Sequence, residues 1–418
     1  MPLTTPSPAK RERESRPERV RVLEDTEITS ARFSRNPRIL VCPDSFKGSL
    51  SAAEASVAMA RGAGRALPGA RLAVLPLADG GEDTVEALSR ARGRKFRLRA
   101  RGPLGRSCHA EFLMLPGRIA VIEMAQAAGL TLVAPSRRSP LKASTYGVGE
   151  IMKKALRHGA RRIIVFTGGS ATTDGGAGMA QALGARLLDS RGRDIPPGGA
   201  GLLSLRRICA KPLRRLLHGV TVQGATDVRN PLLGPRGAAR MFSPQKGATP
   251  AQARLLERGL ANLARVIRND LGVDVRNIRG AGSAGGTGAG LVAFARAKLV
   301  PGAPLIFKYL GFDRHLRRAN LVLTGEGSLD AQTLLGKLVA HVAGRAKCRG
   351  VPVLAFAGRV SLSSRKIRRM GLSYAHAISG RGMSRRESMR RAAVLLERAT
   401  ERVLSGFSRS LIDSPSSP

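Results

Sequence analysis

Short apolar runs alternate along the chain with longer stretches whose apolar residues recur at helical spacing. Ile39–Cys42, Leu72–Leu77, Ile163–Phe166, Val220–Ala225, Leu321–Thr324 and Val353–Phe356 predict buried strands, and Leu372–Ala375 a further one. Residues 95–125, including Arg118–Met124, read as short strands joined by turns. Helical spacing predicts helices ending near Leu67, from about Thr145 to His158, through Leu183, over 251–271, and from about Ser384 to Leu404. Ser384 with Glu387 three positions on has the form of a capping box. Strand–helix alternation of this kind predicts an α/β fold.

The pattern fails at the two ends. Residues 1–37 are rich in Pro, Arg, Glu and Ser without periodicity and are expected to be a disordered extension; residues 411–418 read as a frayed tail. The 418 residues exceed what one core usually organises, so two domains are expected.

A net charge of +42 invites a nucleic-acid reading. Only 3% of residues are aromatic and none is Trp, which leaves little surface for base stacking. The excess is also spread along the chain, mostly as Arg. A solvated, Arg-rich surface on an enzyme is therefore preferred, with weak non-specific contacts to polyanions. Cys42, Cys108, Cys209 and Cys348 form no C-x-x-C pair, which favours reduced thiols and a cytoplasmic setting. No apolar run is long enough to span a membrane, and the first residues lack the apolar core of a signal peptide.

Ligands of open α/β sheets bind beyond the carboxyl ends of the strands. Here those ends carry Pro43-Asp44-Ser45-Phe46-Lys47-Gly48, Asp79-Gly80-Gly81-Glu82, Thr226-Asp227-Val228-Arg229-Asn230, and Gly325-Glu326-Gly327-Ser328-Leu329-Asp330 with Gly336-Lys337 downstream. The run Ile163–Phe166 leads into Thr167-Gly168-Gly169-Ser170-Ala171-Thr172-Thr173-Asp174-Gly175-Gly176, a glycine loop that opens a helix and suits a phosphate. A single Asp in such a loop is usually a helix cap. Five acidic loops in a chain with 29 acidic residues are unlikely all to be caps. Lys47 and Lys246 stand out as glycine-flanked point charges suited to phosphate. Carboxylates for Mg²⁺, cations and N–H groups for phosphate, and a base near a hydroxyl are the inventory of phosphoryl transfer.

Gly280, Gly282 and Gly285 spell G-x-G-x-x-G, but no acidic residue follows at the distance a dinucleotide site needs. A glycine loop approaching a ligand phosphate fits better. No G-x-x-x-x-G-K-[ST] motif is present.

The blocks Pro43–Leu50, Ala78–Glu82, Gly168–Met179, Asn230-Pro231-Leu232, Pro244–Ala248, Gly282–Gly290 and Thr324–Gly327 through Gln332-Thr333 and Gly336-Lys337 resemble the glycerate kinase type 1 family. The resemblance covers roughly residues 38–405 in order. It implies two α/β domains, one flavodoxin-like and built from 38–89 and 289–410, the other inserted at 90–288, with the active site in the cleft. It implies an ATP- and Mg²⁺-dependent kinase for D-glycerate that forms 2-phospho-D-glycerate. A 3-phosphate product, or a weakened homologue that binds polyanions, stay open as alternatives, and a homo-oligomer is compatible with the sequence.

On that basis Asp44, Lys47, Asp79, Asp174 and Glu326 are expected to be catalytic, the four carboxylates as Mg²⁺ ligands or as the base for the hydroxyl proton, with Asp79, Asp174 and Glu326 the candidate metal ligands. Ser45, Gly168, Gly169, Ser170, Thr172, Gly175, Gly176, Asp227, Asn230, Lys246, Gly282, Gly285, Gly286, Asp330 and Lys337 are expected to contact substrate or nucleotide. Lys246 and the glycines would hold the triphosphate. The chain departs from the family pattern at Thr173 (usually Asn), Thr226 (usually Cys), Arg229 (commonly acidic), Ser328 (frequently Arg) and Leu338-Val339.

Overall fold

The computed structural model describes residues 36–412 apart from Glu82, Gln332, Gly336 and Arg381. The expected extension over 1–37 and tail over 411–418 fall almost wholly outside the described residues, as do the motif positions Glu82, Gln332 and Gly336.

Thirteen strands occur among the described residues: β1 (Arg38–Val41), β2 (Arg71–Val74), β3 (Arg94–Arg101), β4 (Ser107–Leu115), β5 (Ile119–Glu123), β6 (Arg162–Phe166), β7 (Arg186–Leu188), β8 (Arg207–Cys209), β9 (Thr221–Ala225), β10 (Lys298–Val300), β11 (Leu321–Leu329), β12 (Val353–Val360) and β13 (Tyr374–Ala377). One sheet has the order β13-β12-β11-β1-β2, all parallel. Counted along the chain this is 2-1-3-4-5, the doubly wound order of flavodoxin-like folds, with its switch point between β1 and β11. The second sheet, β10-β9-β6-β5-β4-β3, is mixed, since β3 and β4 run antiparallel at one edge. β7 and β8 form a small hairpin-like pair.

The first sheet is interrupted between β2 and β11, and all of the second sheet lies in that interval. Its last strand, β10, pairs with β9 from beyond residue 288, where the insertion was expected to end. Three residues flanked by Pro301 carry too little periodicity to be read as a strand.

Burial follows the pleat. Ile39 and Val41 of β1 face a cluster with Leu321, Leu323, Leu354 and Phe356, covered by helices Ala52–Ala66 and Ala392–Ile412. These helices cross closely at Gly62, where a Cβ would meet Glu397 O at 2.3 Å. Leu40 and Cys42 face the opposite cluster, which holds Phe307, Phe312 and Val342 and also takes in Val121, Ile164 and Phe166 of the second sheet. One apolar cluster thus joins the two sheets. Helices Tyr146–Arg157, Pro250–Leu271 and Ser283–Ala295 cover the second sheet's other face.

Two expected elements end differently. β11 continues through Gly325, Glu326 and Gly327 instead of turning at Thr324, because β12 runs alongside and pairs Glu326 with Ala357. The helix expected from Ser384 to Leu404 breaks near Arg391 into Arg385–Arg390 and Ala392–Ile412. Ser384 accepts from Glu387 N, while the Glu387 side chain reaches forward to Arg391 and closes no box. Full capping boxes form instead at Ser51/Glu54 and Thr249/Gln252. No described helix is long and apolar enough to cross a membrane.

Candidate active site

The switch point gathers most of the expected carboxylates. Asp44 follows β1 by three residues, and its N–H still extends the ladder by donating to Gly325 O at 2.8 Å. The Asp44 carboxylate is buried and accepts from Ser45 N at 2.7 Å. Burial, the nearby Asp79 and, more weakly, Glu326 push its carboxyl well above the ordinary range, against the pull of Ser45 N–H and Lys47. Lys47 Nζ lies 2.6 Å from Asp79 Oδ2, and Asp79 Oδ1 accepts from Gly81 N at 3.0 Å. Lys47 is largely exposed, so the site has an open side.

Glu326 projects from β11 into the same region. Thr333 Oγ1 donates to it at 2.7 Å and Lys337 Nζ at 3.3 Å; burial still raises its carboxyl, and Asp330 adds to the rise. Asp330 accepts from Ser328 Oγ at 3.2 Å, so Ser328 serves that turn. Asp227, just past β9, accepts from Gly302 N at 2.9 Å and holds the start of helix Gly302–Leu310. Burial pushes Asp227 up to about 6, with Asp79 contributing, which brings it into the electrostatic reach of the group.

The glycine loop forms a second, separately bonded group. Asp174 is fully buried. Its Oδ2 accepts from Thr145 N and Thr145 Oγ1, both at 2.8 Å, and from Gly178 N at 3.2 Å; its Oδ1 accepts from Gly176 N at 3.2 Å. Burial outweighs these four bonds and raises its carboxyl. Lys246 is buried too. It donates to Ser170 Oγ at 2.8 Å and Thr172 O at 2.7 Å, and burial pushes its amine down to about 7 with Asp174 opposing.

These contacts tie Asp174 into the surrounding protein, with three donors on Oδ2 and one on Oδ1. The glycines nearby are closely packed as well. A Cβ on Gly285 would lie 2.0 Å from Thr172 O, and one on Gly282 would lie 2.2 Å from Pro231 O. A Cβ on Gly286 would approach Gly175 Cα at 3.1 Å. Gly282, Gly285 and Gly286 therefore admit the close approach of neighbouring backbone. Gly175 and Gly176 likewise pack against Leu263 and Gly290. Asn230 is engaged locally, donating from Nδ2 to Arg236 O at 2.7 Å. Gly169 stays exposed with φ 72° beside the half-buried Ser170, so this tip of the loop faces outward. Among the described residues, buried Thr172 Oγ1 and Thr173 Oγ1 have no hydrogen-bond partner.

The two groups meet at Gly168. Its N–H donates to Gly80 O at 3.2 Å, and its missing Cβ leaves room for Gly81 Cα. Glu123, which no sequence motif marks, lies beside this junction at the end of β5, where it pairs in register with Phe166. An acid closing an otherwise apolar strand was its only signal.

Among the described residues no three or more His, Cys, Asp or Glu side chains converge in a metal-ligating cluster. Of the expected metal ligands, Asp79 and Glu326 lie in the switch-point group and Asp174 in the glycine-loop group. Mg²⁺ needs only one or two carboxylates when phosphate oxygens and water complete its shell. Burial is the main cause of the raised Asp44 carboxyl, and the repulsion from Asp79 and Glu326 that adds to it is the kind a divalent cation relieves, so this donor set fits the ion.

Residues 39–408 match the family model for the glycerate kinase family. The chain belongs to the glycerate kinase family. It is 44% identical over 367 residues to a glycerate kinase of Halalkalibacterium halodurans, covering 87% of this chain and 97% of the relative. It is 43% identical over 326 residues to a glycerate 2-kinase of Escherichia coli, covering 78% and 86%. A crystal structure from Salmonella typhimurium of a protein designated glycerate kinase 2 superposes with a TM-score of 0.77 at 40% identity, covering 90% of this chain and 99% of that one. Membership makes the chain a kinase, and the doubly wound sheet supplies the architecture.

Proposed function

We propose that this kinase transfers the γ-phosphoryl group of ATP to the 2-hydroxyl of D-glycerate, giving 2-phospho-D-glycerate and ADP. The observation that carries the proposal is the meeting of Asp44, Asp79 and Glu326 with Lys47 at the β1/β11 switch point. The 2-position is supported by the name of the E. coli relative.

In this reading the hydroxyl oxygen attacks the γ-phosphorus as the bridging P–O bond breaks, and the hydroxyl proton passes to a carboxylate. Asp44 suits that last role, because its raised affinity for a proton makes it the stronger base. Asp79 and Glu326 would hold Mg²⁺, which would neutralise phosphate charge as it shifts to the leaving group. Lys47 would exchange its Asp79 partner for a phosphate oxygen. Ser45 and Gly168–Ser170 would line the phosphate path, with Asp227, Asp330 and Lys337 fixing the surrounding loops. Asp174 is proposed as the internal anchor of the glycine loop. The two sheets would act as two domains, with 38–89 and the C-terminal part forming one and the inserted segment the other.

Incubation with Mg-ATP and D-glycerate, followed by identification of the phosphoglycerate isomer, tests this. ADP release that depends on D-glycerate and yields the 2-isomer is expected. Exclusive 3-isomer would overturn the regiochemistry, and no glycerate-dependent release would overturn the reaction.

A further inference from the structure

The helix Thr84–Ser89 follows the loop that carries Asp79, yet it begins without a cap of its own. Asp83, at its N-cap position, sits in the left-handed region with φ 68° and makes no side-chain capping bond. Helix starts leave N–H groups that need acceptors. Here the acceptor comes from the other sheet: Val85 N, in the helix's first turn, donates to Glu123 Oε1.

Glu123 is 2% exposed and is itself held, since Gln126 Nε2 donates to its other oxygen at 3.2 Å. Burial pushes its carboxyl up to about 7, and Asp83 and Glu111 add to the rise. Its hydrogen bonds among the described residues go to Val85 N and Gln126 Nε2, outside the phosphoryl-transfer group. A buried acid that is costly to keep charged needs a reason to be there.

The surrounding bonds supply one. Asp79 is tied to Lys47 and to Gly81 N; Gly80 O accepts from Gly168 N; Gly81 O accepts from Thr84 Oγ1 at 3.0 Å; and Val85 N ends on Glu123. Gly168 follows β6 and Glu123 ends β5, adjacent parallel strands. Two neighbouring strand ends of the second sheet therefore grip the polypeptide on either side of Gly81. We propose that Glu123 is a positioning residue for phosphoryl transfer, fixing from the end of β5 the loop that presents Asp79.

The proposal rests on the reading that Asp79 serves the transfer, and its test separates the two. Glu123→Ala should lower kcat by about 30- to 100-fold, the scale of a misplacement near 1 Å, with KM for ATP changed less than about threefold. Glu123→Gln keeps an acceptor for Val85 N–H and should recover kcat to within about fivefold of the unaltered enzyme. Glu123→Asp, shorter by one methylene, should fall between them and serves if the Ala variant does not fold. In an Asp79→Asn background the further loss from Glu123→Ala should shrink below about threefold, because both changes disable one device. Equal fold-losses in the two backgrounds, or no recovery in Glu123→Gln, would overturn the proposal. Amide exchange gives an arm independent of activity: Val85 N–H should exchange faster in Glu123→Ala and return toward normal in Glu123→Gln. Unchanged exchange at Val85 sinks the proposal even if the kinase reading stands. Absent glycerate-dependent turnover in the unaltered enzyme sinks that reading and leaves the exchange arm to decide whether Glu123 fixes the loop.

Discussion

Lys47 Nζ and Asp79 Oδ2 lie 2.6 Å apart, so the loop after β1 and the loop after β2 are joined by an ion pair at the mouth of the site. The pair is exposed on the lysine side, where such contacts contribute little to stability. In the proposed mechanism it would hold a cation beside the carboxylates until phosphate arrives. Lys47→Met is expected to lower kcat by about 10²- to 10³-fold, the usual cost of removing one charge-stabilising donor. The thermal midpoint should move little. Steady-state ADP release alongside a melting curve checks both.

Asp174→Asn is expected to act first on the fold. The amide nitrogen must face N–H donors now served by a carboxylate oxygen, leaving one or more of them unpaired inside the protein. A loss of about 2–4 kcal/mol in urea unfolding is expected. A variant of unchanged stability and abolished turnover would restore Asp174 to the chemistry.

Gly168→Ala places a Cβ 2.5 Å from Gly81 Cα and 2.8 Å from Gly80 O. Both neighbours are backbone, so the Asp79 loop must shift. A fall in kcat of about tenfold or more is expected at temperatures well below unfolding. Initial rates measured with a circular-dichroism control for folding check this.

Stability should depend on pH in two opposed windows. The Glu123 carboxyl, ordinarily near 4.5, is pushed up to about 7 by its own burial, by Asp83 and by Glu111 on β4, which faces Lys95 of β3. Between those values the folded chain binds more protons than the unfolded one, so stability falls as pH rises, by about 3 kcal/mol in total. Asp227 acts in the same direction up to about 6. Lys246, pushed down from 10.5 to about 7, does the reverse. Between those values the unfolded chain binds more protons, so stability rises with pH. These groups together put a minimum near pH 7. Urea midpoints from pH 4.5 to 9 should trace it, and Glu123→Gln should flatten the acidic limb.

The strand-end loops were legible because parallel strands of Val, Ile and Leu announce themselves and the acids stand directly after them. Asp44, Asp79 and Asp227 could be found that way, and the meeting of Asp44 with Glu326 follows from the sheet order. Glu326 itself was misplaced into a loop, because a Gly-Glu-Gly run hides the strand that β12 stabilises beside it. The glycines at 282–286 were ambiguous for a different reason. A missing Cβ shows that something comes close, and the sequence does not say whether that is a phosphate or the backbone at Thr172 and Pro231. Asp174 shared the difficulty, since its donors Thr145 N and Thr145 Oγ1 lie 29 residues away. Glu123 was overlooked because its partner, Val85 N, is 38 residues distant and is a backbone group with no side-chain signature.

The pairing of β1 with β11 also sets a schedule. Thr324 Oγ1 donates to Cys42 O across 282 residues of chain. At about 5–20 residues per second, a ribosome needs on the order of 15–60 s to make the intervening segment. For most of that period β1 and β2 are a two-stranded ribbon without their central neighbour, and the inserted sheet has all its strands, once β10 is made, before β11 exists. The N-terminal strands thus wait, edge unpaired, for a partner still being translated, and it is then that the nascent chain is most exposed to aggregation.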